Sequence, residues 1–201
     1  MKKNLLLKEN YDSENLWKKI NVLTEQQINN MNLGLEWTTT NLPNAVLIGG
    51  TATVYYIKSA RDLTPDLDFL VNDIESVKSK LHQDEISFER LYVGTEESLG
   101  LVVDEFNVDY LDSNVGNVRL NQLILQTPNT ANIGGYQTKI INAELLAIMK
   151  FELGRDKDIN DAFALLSSGK VNIIKYKSYV NKLKDTLQDY ESIIAYKALI
   201  P

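Results

Sequence analysis

Three aspartates and a glycine pair carry the densest chemistry in this chain. Asp66 and Asp68 stand two residues apart in Thr64-Pro65-Asp66-Leu67-Asp68-Phe69-Leu70-Val71. On an extended strand such residues share a face, with Cα atoms roughly 6.6 Å apart at about 3.3 Å per residue. Carboxylates that close repel each other, and either protonation of one or a divalent cation between them relieves the repulsion. Hard cations such as Mg²⁺ take oxygen ligands and are held by a few carboxylates plus substrate phosphates. Asp109, in Asn107-Val108-Asp109-Tyr110-Leu111, lies on a second expected strand. If the two strands pair, three carboxylates converge, a set able to activate a hydroxyl against a phosphorus atom. Upstream, Gly49-Gly50-Thr51 follows the apolar run Ala45-Val46-Leu47-Ile48. Glycine lets backbone approach a ligand closely, the start of a following helix offers N–H groups to an anion, and Thr51 adds a hydroxyl donor. A phosphate binder beside a metal-binding carboxylate set implies a nucleoside triphosphate.

The elements that must position these residues are readable from periodicity. Ser13 heads a segment with Leu16, Trp17 and Ile20 at helical spacing, and Thr24 with Gln27 forms a capping-box pattern before Ile28, Met31 and Leu35. After Pro43 the period changes to a buried strand over 45–48, a glycine turn and a helix over 51–60. Leu67, Phe69 and Val71 have strand parity. A helix over 73–81 and a strand over 86–93 follow. A hairpin joins 99–103 to 106–111 around Asp104-Glu105. A helix with a strand after it covers 115–125 and beyond, and a strand covers 136–141. Asn142 caps the helix AELLAIMKFEL, a second helix spans 156–168 and stops at Gly169, and further helix fills 173–199. The reading is an α+β fold in three parts: an N-terminal helical segment (1–42), a core with a mixed sheet flanked by helices (43–141), and a C-terminal helical region packed on it (142–201).

Composition narrows the chemistry. Of 201 residues, 21 are Lys or Arg and 27 are Asp or Glu, a net charge of −6, which argues against a broadly basic surface that wraps duplex DNA. There is no cysteine, so thiolate metal sites, disulfides and cysteine nucleophiles are excluded. The single histidine, His82, excludes His-rich zinc sites and is expected on the surface. No stretch has the length of a membrane span, and the opening residues lack the apolar core and cleavage site of a signal peptide, so the cytoplasm is the expected compartment. Asp104 and Glu105 fit a turn, and Asp112 is expected to cap or to face water. Tyr55, Tyr56, Tyr110 and Tyr136 read as core or rim, and Gly134-Gly135 as a turn.

The helical region holds a second polar group. Ala143, Leu146, Lys150 and Leu153 share one helical stripe, so Lys150 either snorkels outward or faces a cleft. Asp158 and Asp161 lie three apart and need a nearby cation, for which Lys150, Arg155 and Lys157 are candidates.

The run GGTATVYYIKSARDLTPDLDFLV resembles the nucleotidyltransferase signature: a glycine pair with Ser or Thr, a helix, Asp-hydrophobic-Asp, and a third Asp on a later strand. The resemblance is strongest to the bacterial AbiEii-like toxins of type IV toxin–antitoxin systems. There an Arg-x-Thr-x-Asp-hydrophobic-Asp string follows the glycine helix; here Arg61-Asp62-Leu63-Thr64-Pro65-Asp66-Leu67-Asp68 has one residue more between Arg and Thr. NAELLAIMKFELGRDKDINDAFALL matches the later motifs of that group at Lys150, Arg155, Lys157, Asp158 and Asp161. The resemblance covers residues 43–170. It implies a nucleotidyltransferase-like fold and the transfer of a nucleoside monophosphate from an NTP to an acceptor hydroxyl. The implied metal ligands and catalytic residues are Asp66, Asp68 and Asp109, with Mg²⁺ or alternatively Mn²⁺. Gly49, Gly50, Thr51, Lys150 and Asp158 would hold the nucleotide. The acceptor stays open among RNA, protein and a small molecule such as an antibiotic; a toxin would have an antitoxin protein as partner. A non-catalytic binding module on the same fold is the reading from another class.

Overall fold

The structure, a computed structural model, describes residues 20–21, 23–57, 61–62, 66–93, 97–188 and 193. The expected helix headed by Ser13, together with Thr64 and Pro65, lies outside them. Ile20, expected on that helix, instead forms a two-residue strand β1 (Ile20–Asn21) parallel to β3 (Arg61–Asp62). Long-range pairing here overrides local periodicity.

Seven strands form one mixed sheet in the order β5 (Glu89–Val93), β6 (Glu97–Val103), β7 (Val108–Asp112), β4 (Leu67–Val71), β2 (Val46–Leu47), β9 (Tyr136–Ile140) and β8 (Asn129–Ile133). β4 runs parallel to β7 and antiparallel to β2, while β2 is parallel to β9. The 104–105 turn is a short 3₁₀ segment (Asp104–Phe106) that returns the antiparallel hairpin β6–β7. This mixed sheet with flanking helices is the expected α+β architecture.

Helix α1 (Glu25–Asn41) starts at Thr24, whose side chain accepts from Gln27 N–H while the Gln27 side chain accepts from Thr24 N–H. It packs on one sheet face. Phe69 of β4 stacks on Tyr110 of β7, Tyr110 meets Trp37 edge-on, and its hydroxyl lies 2.6 Å from Thr38 Oγ1. Gly34 lets helix and sheet close up, since a Cβ there would sit 2.5 Å from Val108 Cγ2. Period-two alternation sends Asp68 and Leu70 of β4, with Asp109 and Leu111 of β7, to the opposite face.

That opposite face carries α2 (Gly49–Tyr56) and α4 (Val118–Gln126), and α5 (Ala143–Leu153) packs against both. α3 (Ile74–Gln83) is capped by Asp73 and packs near β6 and β7. α2 ends at Tyr56, short of the expected 60, because Ile57 turns to extended backbone. α5 begins at Asn142, whose side chain accepts from Leu145 N–H, and stops at Gly154 with φ +66°. α6 (Asp156–Ser167) and α7 (Ile173–Leu183) complete the helical side. No helix among the described residues is long and apolar enough to cross a membrane.

Candidate active site

Strand register brings the three aspartates together. In the parallel β4–β7 pair, Asp68 stands directly opposite Asp109. Asp66 precedes β4 and shares the face of Asp68. One carboxylate oxygen from each of the three lies within 4.8 Å of the others. Burial, then repulsion from Asp66 and Asp109, pushes the Asp68 carboxyl up to about 7, against the pull of the Gly50 N–H and the Lys150 charge. Burial, then Asp66 and Asp104, pushes Asp109 up to about 6. A protein that gathers three mutually repelling carboxylates has built a donor set suited to a hard cation.

The diglycine is the first turn of α2 rather than a separate turn before it. Gly49 takes φ +67°, and a Cβ built on it would lie 1.8 Å from Asp68 Oδ2. The Gly50 N–H donates to Asp68, and the Ile48 N–H donates to the Asp68 carbonyl at 2.8 Å. Thr51 is 1% exposed, and its hydroxyl donates to the Asp66 carbonyl at 2.9 Å. The hydroxyl expected to donate to phosphate therefore spends its proton on the backbone that carries Asp66. The GGT segment grips both aspartates from one side.

A cavity of about 810 Å³ opens beside this segment. Gly49, Gly50, Asp66 and Asp68 line it together with Lys150, Arg155, Lys157 and Asp161. Leu70, Leu111, Leu120 and Met149 supply apolar surface. Asp109 is a member of the carboxylate cluster but is not among the residues that line the cavity.

Lys150, on the stripe read from sequence, is 4% exposed yet reaches the cavity wall. Its Nζ lies 2.7 Å from Asp158 Oδ1 and 3.1 Å from Asp161 Oδ2. Arg155 Nε donates to the other oxygen, Asp158 Oδ2. Burial disfavours charge on Asp158, but the hydrogen bonds and charges of Arg155 and Lys150 outweigh it and hold the carboxyl below its ordinary value. Asp158 is 0% exposed and absent from the cavity wall, so it meets two cations rather than the cavity; Asp161 is the acid of the pair that lines it.

Asp112 also lines the cavity while its Oδ1 accepts from both nitrogens of Asn114, combining the expected cap with a wall position. Glu152, Asn117 and Gln188 were not singled out from sequence. Glu152 accepts from the Asn117 side chain and the Gln188 N–H, tying three distant segments into one wall. Nothing local in their spacing signals this. His82 is exposed and edge-on to Phe88. Tyr110 is core, Tyr136 donates to Glu36, and Gly134-Gly135 turns the β8–β9 hairpin.

Comparison with known proteins bears on the family and the fold. Residues 38–195 match the family described as "Nucleotidyl transferase of unknown function (DUF2204)". Among solved structures, an antigenic nucleotidyltransferase-like protein from Paracoccidioides brasiliensis superposes with TM-score 0.50 at 15% identity, covering 86% of this chain and 93% of that one. At that identity the likeness is one of fold. No curated protein matches the sequence.

Proposed function

This chain belongs to the DUF2204 nucleotidyl transferase family, and on that premise we propose that it transfers a nucleoside monophosphate from an NTP to an acceptor hydroxyl, with Asp66, Asp68 and Asp109 as its metal-holding carboxylates. The carrying observation is the convergence of those three within 4.8 Å beside the Gly49–Gly50 turn and an open cavity. Bound by these oxygens, Mg²⁺ (alternatively Mn²⁺) would offset the triphosphate's charge and lower the barrier to attack at phosphorus.

The chain's own residues do the positioning. Gly49 and Gly50 present bare backbone to the phosphates. Thr51 acts through Asp66, whose carbonyl it holds, and Asp158 acts through Lys150. Lys150 and Arg155 offer positive charge to the same cavity. Asp109, the third member of the cluster, takes the acceptor's hydroxyl proton. The acceptor oxygen bonds to the α-phosphorus, the bond to the β-phosphate oxygen breaks, and pyrophosphate leaves. Positioning and charge stabilisation supply most of the acceleration.

The resemblance to AbiEii-like toxins supports growth inhibition relieved by an antitoxin. The net charge of −6 favours instead a small-molecule acceptor over a nucleic acid. Incubation with each labelled NTP, Mg²⁺ and cell extract, followed by identification of the labelled species, tests both. Label in RNA or protein with host toxicity supports the first, and label in a small molecule the second. An Asp68→Asn variant as active as the wild type would overturn the assignment.

A further inference from the structure

Arg155 is the N-cap residue of α6, directly after the Gly154 stop of α5. An exposed arginine at a helix start is ordinarily a solvated side chain of no consequence. This one is tethered. Its Nε donates to Oδ2 of a carboxylate that is itself 0% exposed, while the guanidinium-bearing side chain stays 59% exposed and lines the cavity. The other oxygen of that carboxylate holds Lys150 Nζ. One buried acid thus sets two cations side by side in the cavity that Gly49, Gly50 and Asp68 also line.

A guanidinium has a planar fork of five N–H donors. Asp158 occupies the Nε–H, and among the described residues no other hydrogen bond engages the group. Its two terminal amino groups remain for a ligand, in the geometry that matches a phosphate's paired oxygens. Lys157, two residues on, adds a second exposed charge to the same wall.

Resting on the nucleotide reading above, we propose that Arg155, oriented by Asp158, binds the β- and γ-phosphates of the NTP and the pyrophosphate that leaves, rather than the base, the ribose or the acceptor. Arg155 contacts substrate; Asp158 is a positioning residue that contacts none. Because the guanidinium binds what departs, its loss weakens polyphosphates and spares monophosphates.

The test is calorimetric binding, with Mg²⁺ present, of inorganic tripolyphosphate, the α,β-methylene analogues of the four NTPs and the four nucleoside monophosphates. Wild type is compared with Arg155→Gln and Arg155→Lys. The expected result is about a 10- to 100-fold weaker Kd for tripolyphosphate and for the bound triphosphate analogue in Arg155→Gln, on the scale of one charge-assisted hydrogen-bonded contact. Arg155→Lys recovers part of it, and monophosphate affinity changes less than about twofold, as no such contact is lost. Equal loss for mono- and triphosphates places Arg155 at the nucleoside and overturns the proposal. Unchanged triphosphate binding in both variants overturns it too, leaving the nucleotide reading intact. A wild-type protein that binds no triphosphate overturns both. Thermal melts identify a variant that has failed to fold, and Arg155→Lys keeps the comparison available in that event.

Discussion

Gly49 and Asp68 are packed so closely that a single methyl group cannot be placed between them: a Cβ on Gly49 would lie 1.8 Å from Asp68 Oδ2. The glycine is thus part of the carboxylate's seat. Its φ of +67° adds a conformational reason for the same residue.

Gly49→Ala is expected to displace the Asp68 side chain. The strained backbone and the overlap together cost about 2–3 kcal/mol of stability, while transfer activity falls by orders of magnitude. Chemical denaturation and a labelled-NTP transfer assay measure the two effects. A variant with normal activity would mean that Asp68 has no role needing this position.

Asp66→Asn, Asp68→Asn and Asp109→Asn separate chemistry from fold. Each removes a ligand charge and should abolish transfer. Each also removes repulsion within the cluster, so the metal-free variants should melt at or above the wild-type temperature. Calorimetric Mg²⁺ titration and melts check both parts. A large drop in melting temperature for all three would point to a structural cluster.

The same repulsion gives a pH dependence of definite sign. Asp68 and Asp109 sit at about 7 and about 6, above their ordinary value. Between that value and 7 the native chain holds protons that the unfolded chain has released, so metal-free stability falls as pH rises through this window. Asp158, held low, has the opposite sign: its contribution is present above the ordinary carboxylate range and is lost as pH falls through its own lowered value. Melts from pH 4 to pH 8 should therefore decline without metal, and Mg²⁺ should restore stability most at the alkaline end. A flat profile with no response to Mg²⁺ would contradict the cation reading.

Lys150→Met leaves Asp158 and Asp161 in place without the ammonium that lies within 3.1 Å of both. The expected cost is about 3–5 kcal/mol, the range for breaking a buried ion pair from one side. Adding Asp161→Asn to Lys150→Met should return part of it. Urea denaturation of the single and double variants gives the coupling directly. Additive effects would place the two side chains in separate environments.

Much of the core and its helices was legible from local rules. Capping by Thr24 and Asn142, the parity of Leu67, Phe69 and Val71, and the stop at Gly169 each depend on residues within a few positions of one another. Such short-range preferences operate before any tertiary contact forms. The end of α2 at Tyr56 and the strand at Ile20–Asn21 were not legible, because their neighbours are distant in sequence.

The site divides along the same line. Residue types and spacing alone determined that Asp66 and Asp68 share a face and that a glycine pair precedes a helix. Only the tertiary structure decided that Asp109 falls opposite Asp68, that Thr51 turns to the Asp66 carbonyl, and that Asp158 sinks beneath Lys150 and Arg155 while Asp161 meets the cavity. The reason is physical. Periodicity fixes the direction of a side chain about its own strand or helix, whereas strand register and helix packing set which side chains from distant segments share a volume.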